Sequence, residues 1–193
     1  MTITTLSNPH YTPPRPFSFP RHHAFPPFYT PQPQLSTRHA QLQKWSTLIL
    51  AYCAHFRLFK LSLSEALESE LFWNRAIGKR LSRETVREVV EFMRAEGRAE
   101  WVKGGGGEGQ GSVFWVWWRD VEEWAGLIGG WVDETAQKNT VLTLYELTES
   151  EATTSQEFHG MDAELLQKAL AVLVQRGKAQ VFGQEDQQGV KFF

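Results

Sequence analysis

Cysteine is nearly absent from this chain. Cys53 is the only one in 193 residues, so no disulfide can form within the chain. Long apolar runs are missing as well. The longest, Leu48 to Ala54, falls far short of the roughly 20 residues a helix needs to cross a bilayer. The first thirty residues contain no apolar stretch of the signal-peptide kind. These absences lead to the expectation of a soluble, intracellular protein. Acidic residues are absent from positions 1–36, which carry only Arg15 and Arg21. Apolar periodicity is absent there too.

That front segment holds an excess of two other residue types. Seven of the nine prolines lie before residue 30, interleaved with Phe17, Phe19, Phe25, Phe28 and Tyr29. A segment of this composition cannot bury a core of its own, so its aromatics need another surface. It ends in Phe25-Pro26-Pro27-Phe28-Tyr29, a Pro-Pro-x-Tyr sequence. Proline pre-sets an extended polyproline backbone, which lowers the entropy cost of ordering on a partner. Phe28 and Tyr29 could fill a partner's pockets, and replacing both by Ala should then leave the domains folded. Two other readings stay open. The arm could fold back onto its own domain, or it could be a ligand for a WW domain, which uses the same short pattern.

Behind the arm the apolar spacing describes a repeated unit. Leu42, Trp45, Leu48, Ile49, Tyr52 and Phe56 share one helical face. A short strand is predicted within 58–63 and a second helix over 65–80, interrupted near Gly78. A third helix starts at Ser82, a plausible N-cap, and is stopped by Gly97. Two β-rich runs follow, 98–103 and 112–118, around a glycine loop at 104–111. That loop lacks the Gly-Lys-Ser/Thr ending and the following helix of a phosphate-binding loop.

The C-terminal part repeats this order. Val121, Trp124, Ile128 and Trp131 give a first helix, and Thr140 to Leu144 a short strand. Asp162 is the N-cap of a helix whose stripe, Leu166, Ala169, Leu170 and Leu173, lies 80 residues after Val86, Val89, Val90 and Met93. Gly177 to Val181 keeps the same offset from Gly97 to Trp101. A wing-like turn over 183–189 then separates the last two strands. The expected class is α+β, mainly helical: an extended arm over 1–36 followed by tandem winged-helix domains at 37–119 and 120–193. A single α+β domain with accidental internal similarity is the alternative.

Charge separates along the chain. Residues 37–119 carry a net charge of +4 and residues 120–193 a net −8. The acidic third should repel phosphate backbones and favour basic partners. On helix 82–96, Arg83, Arg87 and Arg94 are offset by four glutamates, so it lacks the basic stripe of a DNA-reading helix and resembles i,i+4 pairs on a solvated face. A nucleic-acid-binding module is the competing class. The six histidines, including the His22-His23 pair, have no cysteine or histidine cluster at metal spacing and read as surface imidazoles. No nucleophile motif or acid/base pair suggests an enzyme, and no cofactor is expected.

One set of residues points further. Phe25 to Thr30, Gln32-Pro33, Thr37-Arg38, Gln41-Leu42, Trp45, Leu71-Phe72-Trp73-Asn74, Gly97 to Trp101, Glu122-Glu123-Trp124, Thr143 to Leu147, Glu157 to Gly160 and Gly189 to Phe193 resemble the small subunit of ESCRT-II, the second endosomal sorting complex required for transport. The similarity runs from about Phe19 to the C-terminus. It implies tandem winged helices and a scaffold role in sorting ubiquitinated membrane cargo into multivesicular bodies, present as two copies per complex. It also implies that Phe25, Pro26, Pro27, Phe28 and Tyr29 dock on winged-helix domains of two larger subunits, with Arg83 a further interface residue. By the same resemblance, residues 120–193 recruit an ESCRT-III subunit, for which their acidity suits a basic helix. The protein would be cytoplasmic and recruited peripherally to the endosomal membrane, touching the bilayer only indirectly. One departure stands out: some family members carry two Pro-Pro-x-Tyr copies, and here the upstream one reads Pro20-Arg21-His22-His23.

Overall fold

The structure, a computed structural model, describes residues 6–102, 112–183 and 188–193. The glycine loop 104–111 and most of the turn 183–189 lie outside the described residues. Contacts divide the chain between Trp118 and Arg119 into two compact units, with Pro9–Tyr11 grouped with the second.

In the first unit the elements are α1 (Leu35–Phe56), β1 (Lys60–Ser62), α2 (Leu63–Glu68), β2 (Trp73–Asn74), β3 (Lys79–Arg80), α3 (Arg83–Ala95), β4 (Ala99–Trp101) and β5 (Val113–Val116). Strands β1, β5 and β4 form an antiparallel sheet in that order. The predicted stripe of α1 is buried throughout. Its end is a left-handed Arg57, φ 50°, with the Leu58 N–H returning 2.8 Å to the Cys53 carbonyl. Cys53 faces the core, and burial pushes its thiol pKa far up, so it stays protonated. Ser82 caps α3 by accepting from the Thr85 N–H at 3.2 Å.

Of the helix expected over 65–80 only the start forms, as α2. α2 stops at Glu68, because both the N–H and the hydroxyl of Ser69 donate to the Ala66 carbonyl, at 3.1 and 2.6 Å. Leu71 and Phe72 then turn fully into the core. The chain returns through β2 and β3, which pair antiparallel across a left-handed Gly78, φ 62°. Burial of two large side chains outweighs a helical preference that was marginal from the start.

The second unit contains α4 (Val121–Glu134), β6 (Val141–Thr143), α5 (Leu144–Thr148), α6 (Ala163–Gln175), β7 (Ala179–Phe182) and β8 (Gly189–Phe192). Its sheet order, β6-β8-β7, repeats that of the first unit. Asp120 and Thr143 each close a reciprocal capping box, with Glu123 and Glu146.

The offset of 80 survives in atomic detail. Helices α3 and α6 are both 13 residues long and bury their matching stripes. Both end on a left-handed glycine, Gly97 at φ 71° and Gly177 at φ 69°. In both, the next N–H reaches back to the stripe: Arg98 to Met93 at 2.7 Å, Lys178 to Leu173 at 2.9 Å. The arrangement is consistent with the tandem winged-helix expectation. The units differ between their second and third helices. Among the described residues the second unit has only a 3-10 turn there, Glu151–Thr153, and no counterpart of β2 and β3.

Candidate functional site

The arm is folded, not extended. Arg21–Ala24 and Pro26–Tyr29 each form a 3-10 turn. Proline's fixed φ near −65° suits this turn as well as a polyproline helix, so the sequence could not separate the two. Hydrogen bonds decide: the Phe28 N–H donates to the Phe25 carbonyl at 3.0 Å, and the Thr30 N–H to Pro27 at 3.3 Å. Phe25, ahead of the prolines, is extended, as a residue before proline prefers.

The turn presses its last two side chains into the first unit. Phe28 and Tyr29 are each only 5% exposed. The Phe28 ring stacks on Trp45, with centroids 4.1 Å apart and planes at 11°. Tyr29 meets Trp45 edge-on at 5.5 Å, and its hydroxyl donates to the His23 carbonyl at 2.9 Å. Burial raises the Tyr29 pKa well above the ordinary phenol range, so this donor keeps its proton. Upstream, Phe17 lies edge-on to Tyr52 and Phe19 stacks on the His23 ring at 4.1 Å. Of the open readings, the folded-back arm is the one found.

Helix α1 supplies the polar half of the dock. The buried Gln41 amide donates to the carbonyls of Phe28 at 2.8 Å and Thr30 at 2.9 Å. The Trp45 indole N–H adds a bond to the Phe28 carbonyl at 3.2 Å. Gln41 is oriented in turn: its side-chain carbonyl accepts from Arg38 at 2.7 Å, and the Arg38 guanidinium forks onto Glu88 of α3. Glu88 is therefore spent on a neighbouring helix. On α3, Arg94 also pairs with Glu91, at i,i+3 spacing and 2.5 Å.

His23 corrects the expectation of surface imidazoles, as does His159, also buried. The His23 Nε2 lies 3.3 Å from the Leu71 carbonyl, which can only accept, so that nitrogen carries the proton. The Asn74 amide donates to the His23 carbonyl at 2.9 Å. Burial holds the His23 pKa below the ordinary 6.5, against the raising effect of backbone hydrogen bonds. Among the described residues no three His, Cys, Asp or Glu side chains gather as metal ligands.

The predicted docking residues thus divide. Phe28 and Tyr29 are internal. Phe25, 58% exposed, projects with Pro26 and Pro27 as a ridge over a shallow groove of about 170 Å³, walled by His22, Thr37, Ala40 and Lys44. Arg83 is exposed on the first turn of α3. Spacing alone gave no hint that Gln41, Asn74 and His23 serve the arm. The presence of Gln41, Trp45 and Asn74 in the family pattern was the available signal. In the second unit an open groove of about 410 Å³ runs between α6 and the edge strand β7. Leu170, Ala171, Val174 and Val181 line it, with a rim of glutamines. Val174 and Val181 are 42% and 36% exposed.

Comparison with known proteins places this architecture. A model of the ESCRT-II complex subunit family matches residues 22–162. Vacuolar protein-sorting-associated protein 25 of Homo sapiens is 41% identical over 177 residues, spanning 92% of this chain and 98% of the human one. The Dictyostelium discoideum protein of that name is 37% identical over 187 residues, spanning 92% and 96%. The chain belongs to the ESCRT-II complex subunit family. Its fold agrees: a crystal structure of subunit VPS25 of the endosomal trafficking complex ESCRT-II superposes with TM-score 0.76 at 29% identity, covering 90% of this chain and 98% of that one. A crystal structure of the ESCRT-II complex VPS22/VPS25/VPS36 gives 0.77 over the same shares. No helix of this ESCRT-II subunit, among the described residues, is long and apolar enough to cross a membrane.

Two outcomes follow from the folded arm. Phe28→Ala empties the stack on Trp45 and should lower the stability of the first unit by about 3–5 kcal/mol in urea unfolding. The expectation that Phe28 and Tyr29 can be removed without harm to the fold is thereby reversed. Second, His23 is neutral when folded and takes up a proton more readily when unfolded. Stability should be complete above 6.5 and decline as pH falls below it. Comparing urea midpoints at pH 7.5 and 5.5 checks this, and His23→Gln should flatten the difference.

Proposed function

We propose that this chain is a non-enzymatic scaffold of ESCRT-II. Its first unit joins the larger subunits through the Phe25-Pro26-Pro27 ridge, with Arg83 at the margin. The observation that carries the reading is the exposed ridge braced by two buried aromatics. Phe28 and Tyr29 anchor the turn, so little entropy remains to be lost when the ridge enters a partner's pocket. The complex VPS22/VPS25/VPS36 supplies partners of the required kind. Two copies of this chain per complex fit a Y-shaped assembly with one on each larger subunit.

The competing classes are less well supported. A WW-domain ligand of the Pro-Pro-x-Tyr type must present its tyrosine, and Tyr29 is internal. A DNA-reading α3 needs free basic side chains, and Arg94 is tied to Glu91.

The second unit is proposed to recruit an ESCRT-III subunit and so to link cargo sorting at the endosome to filament assembly. The apolar groove between α6 and β7 suits one face of an amphipathic helix. Among the described residues no carboxylate lines that groove. Several carboxylates are committed locally, Glu123 and Glu146 to caps, Glu157 to Arg119 and Asp133 to Lys138. The net −8 of residues 120–193 supplies a long-range field that steers a basic helix toward this unit.

One co-purification experiment separates the two surfaces. Phe25→Glu with Pro27→Glu should leave the unfolding midpoint unchanged and weaken assembly with the larger subunits by about 30-fold or more, the signature of a central contact. Val174→Glu should leave that assembly intact and lose ESCRT-III binding. Unaltered assembly in the first variant, or unaltered recruitment in the second, removes the corresponding role.

A further inference from the structure

The first unit carries a second surface that the arm's docking does not use. The β2–β3 hairpin is an insertion, since among the described residues the second unit builds the same three-stranded sheet without it. Together with the turn before Phe25 it forms an open groove of about 380 Å³. Phe19, Pro20, Arg21 and Ala24 contribute from the arm side, and Trp73 and Arg75 from the hairpin.

Two properties make this groove selective. First, its walls are tied together before any ligand arrives. Asn74 of the hairpin donates to the His23 carbonyl at 2.9 Å, and the His23 ring donates to Leu71 at 3.3 Å. The one acidic side chain in the lining, Glu70, is held by the Tyr52 hydroxyl at 3.2 Å. Second, the charge here is unspent. Arg38, Arg80 and Arg94 of this unit each meet a carboxylate. Arg21 and Arg75, facing each other across the groove, have no carboxylate partner among the described residues. The Arg75 guanidinium lies over the Trp73 ring, 4.3 Å from its centroid, which fixes a cation at the rim without neutralising it.

We propose that this groove binds an acidic–apolar segment of a sister ESCRT-II subunit. A carboxylate would be taken by Arg21 and Arg75, and an adjoining apolar side chain would lie against Trp73 and Pro20. Charge complementarity selects an acidic occupant, and position selects a sister subunit. The Arg21–Ala24 turn runs directly into Phe25, so this groove adjoins the Phe25-Pro26-Pro27 ridge. The inference rests on the ridge being the assembly face. It extends that face from an apolar contact to one with an electrostatic flank, which sets register and association rate.

The test uses full-length chain reconstituted with its two larger subunits. Arg21→Glu with Arg75→Glu should raise the dissociation constant about tenfold or more at low salt, and the difference should shrink as salt is added. Arg21→Lys with Arg75→Lys retains the charge and should recover most of the affinity. Both arginines are exposed, and an unchanged thermal midpoint will show that the fold is intact. Wild-type affinity in the Glu variant, or a salt-independent loss, overturns the proposal. So does retention of short RNA or inorganic phosphate by the wild type with assembly unaffected by the Glu pair, which would assign the groove to phosphate. If the Phe25/Pro27 variant assembles normally the ridge reading fails. If that variant is defective and the arginine pair is neutral, the ridge stands and only the groove is lost.

Discussion

The first unit depends on one contact: the Phe28 ring stacked on Trp45, with the Phe28 carbonyl held by Gln41 and the Trp45 indole. Trp45 is fully buried and central to α1. An arm lying elsewhere would take from that indole N–H and the Gln41 amide the carbonyls they now bond, and would expose the Trp45 face that Phe28 covers. The arm therefore completes the domain as much as the domain orders the arm. The Glu88–Arg38–Gln41 chain extends this dependence to α3. Stacking supplies the driving force, and the polar chain fixes the register.

In the folded arm the Pro-Pro-x-Tyr tyrosine packs inside the first unit. It is an anchor rather than a bait. What faces outward is the residue before the prolines and the prolines themselves, a stiff apolar ridge. Stiffness matters because flexible tails lose part of their binding energy to ordering. The degraded upstream copy is read the same way. His23 keeps an internal role, bonded to Leu71 and stacked on Phe19, and leaves Arg21 at the hairpin groove.

Much of the architecture was legible in the sequence because it rests on periodicity. The stripes of α1, α3, α4 and α6, the caps at Ser82 and Asp162, and the stops at Gly97 and Gly177 follow from local rules. The 80-residue offset was visible for the same reason. The span 65–80 was misread because its outcome depends on where Leu71 and Phe72 find room, a tertiary matter. The arm's conformation was undecidable locally, since proline's φ allows both candidate shapes and the deciding acceptors lie on another helix. Of the residues expected to dock, Phe25, Pro26, Pro27 and Arg83 are exposed, whereas Phe28 and Tyr29 are buried. The burial of His23 and the partnership of Gln41 were not legible, because a single imidazole or amide gives no spacing to read.

Amide hydrogen exchange on the chain by itself, read residue by residue by NMR, tests the central claim most directly. With the arm docked, the Phe28 and Thr30 amides are hydrogen-bonded in a turn packed on α1. They should be protected to a degree that approaches the α1 amides and is lost together with them on adding denaturant. Exchange of Phe28 and Thr30 at unstructured-peptide rates, while α1 remains protected, would mean that the arm is free in solution. It would return the motif to a flexible tail that orders only on its partner.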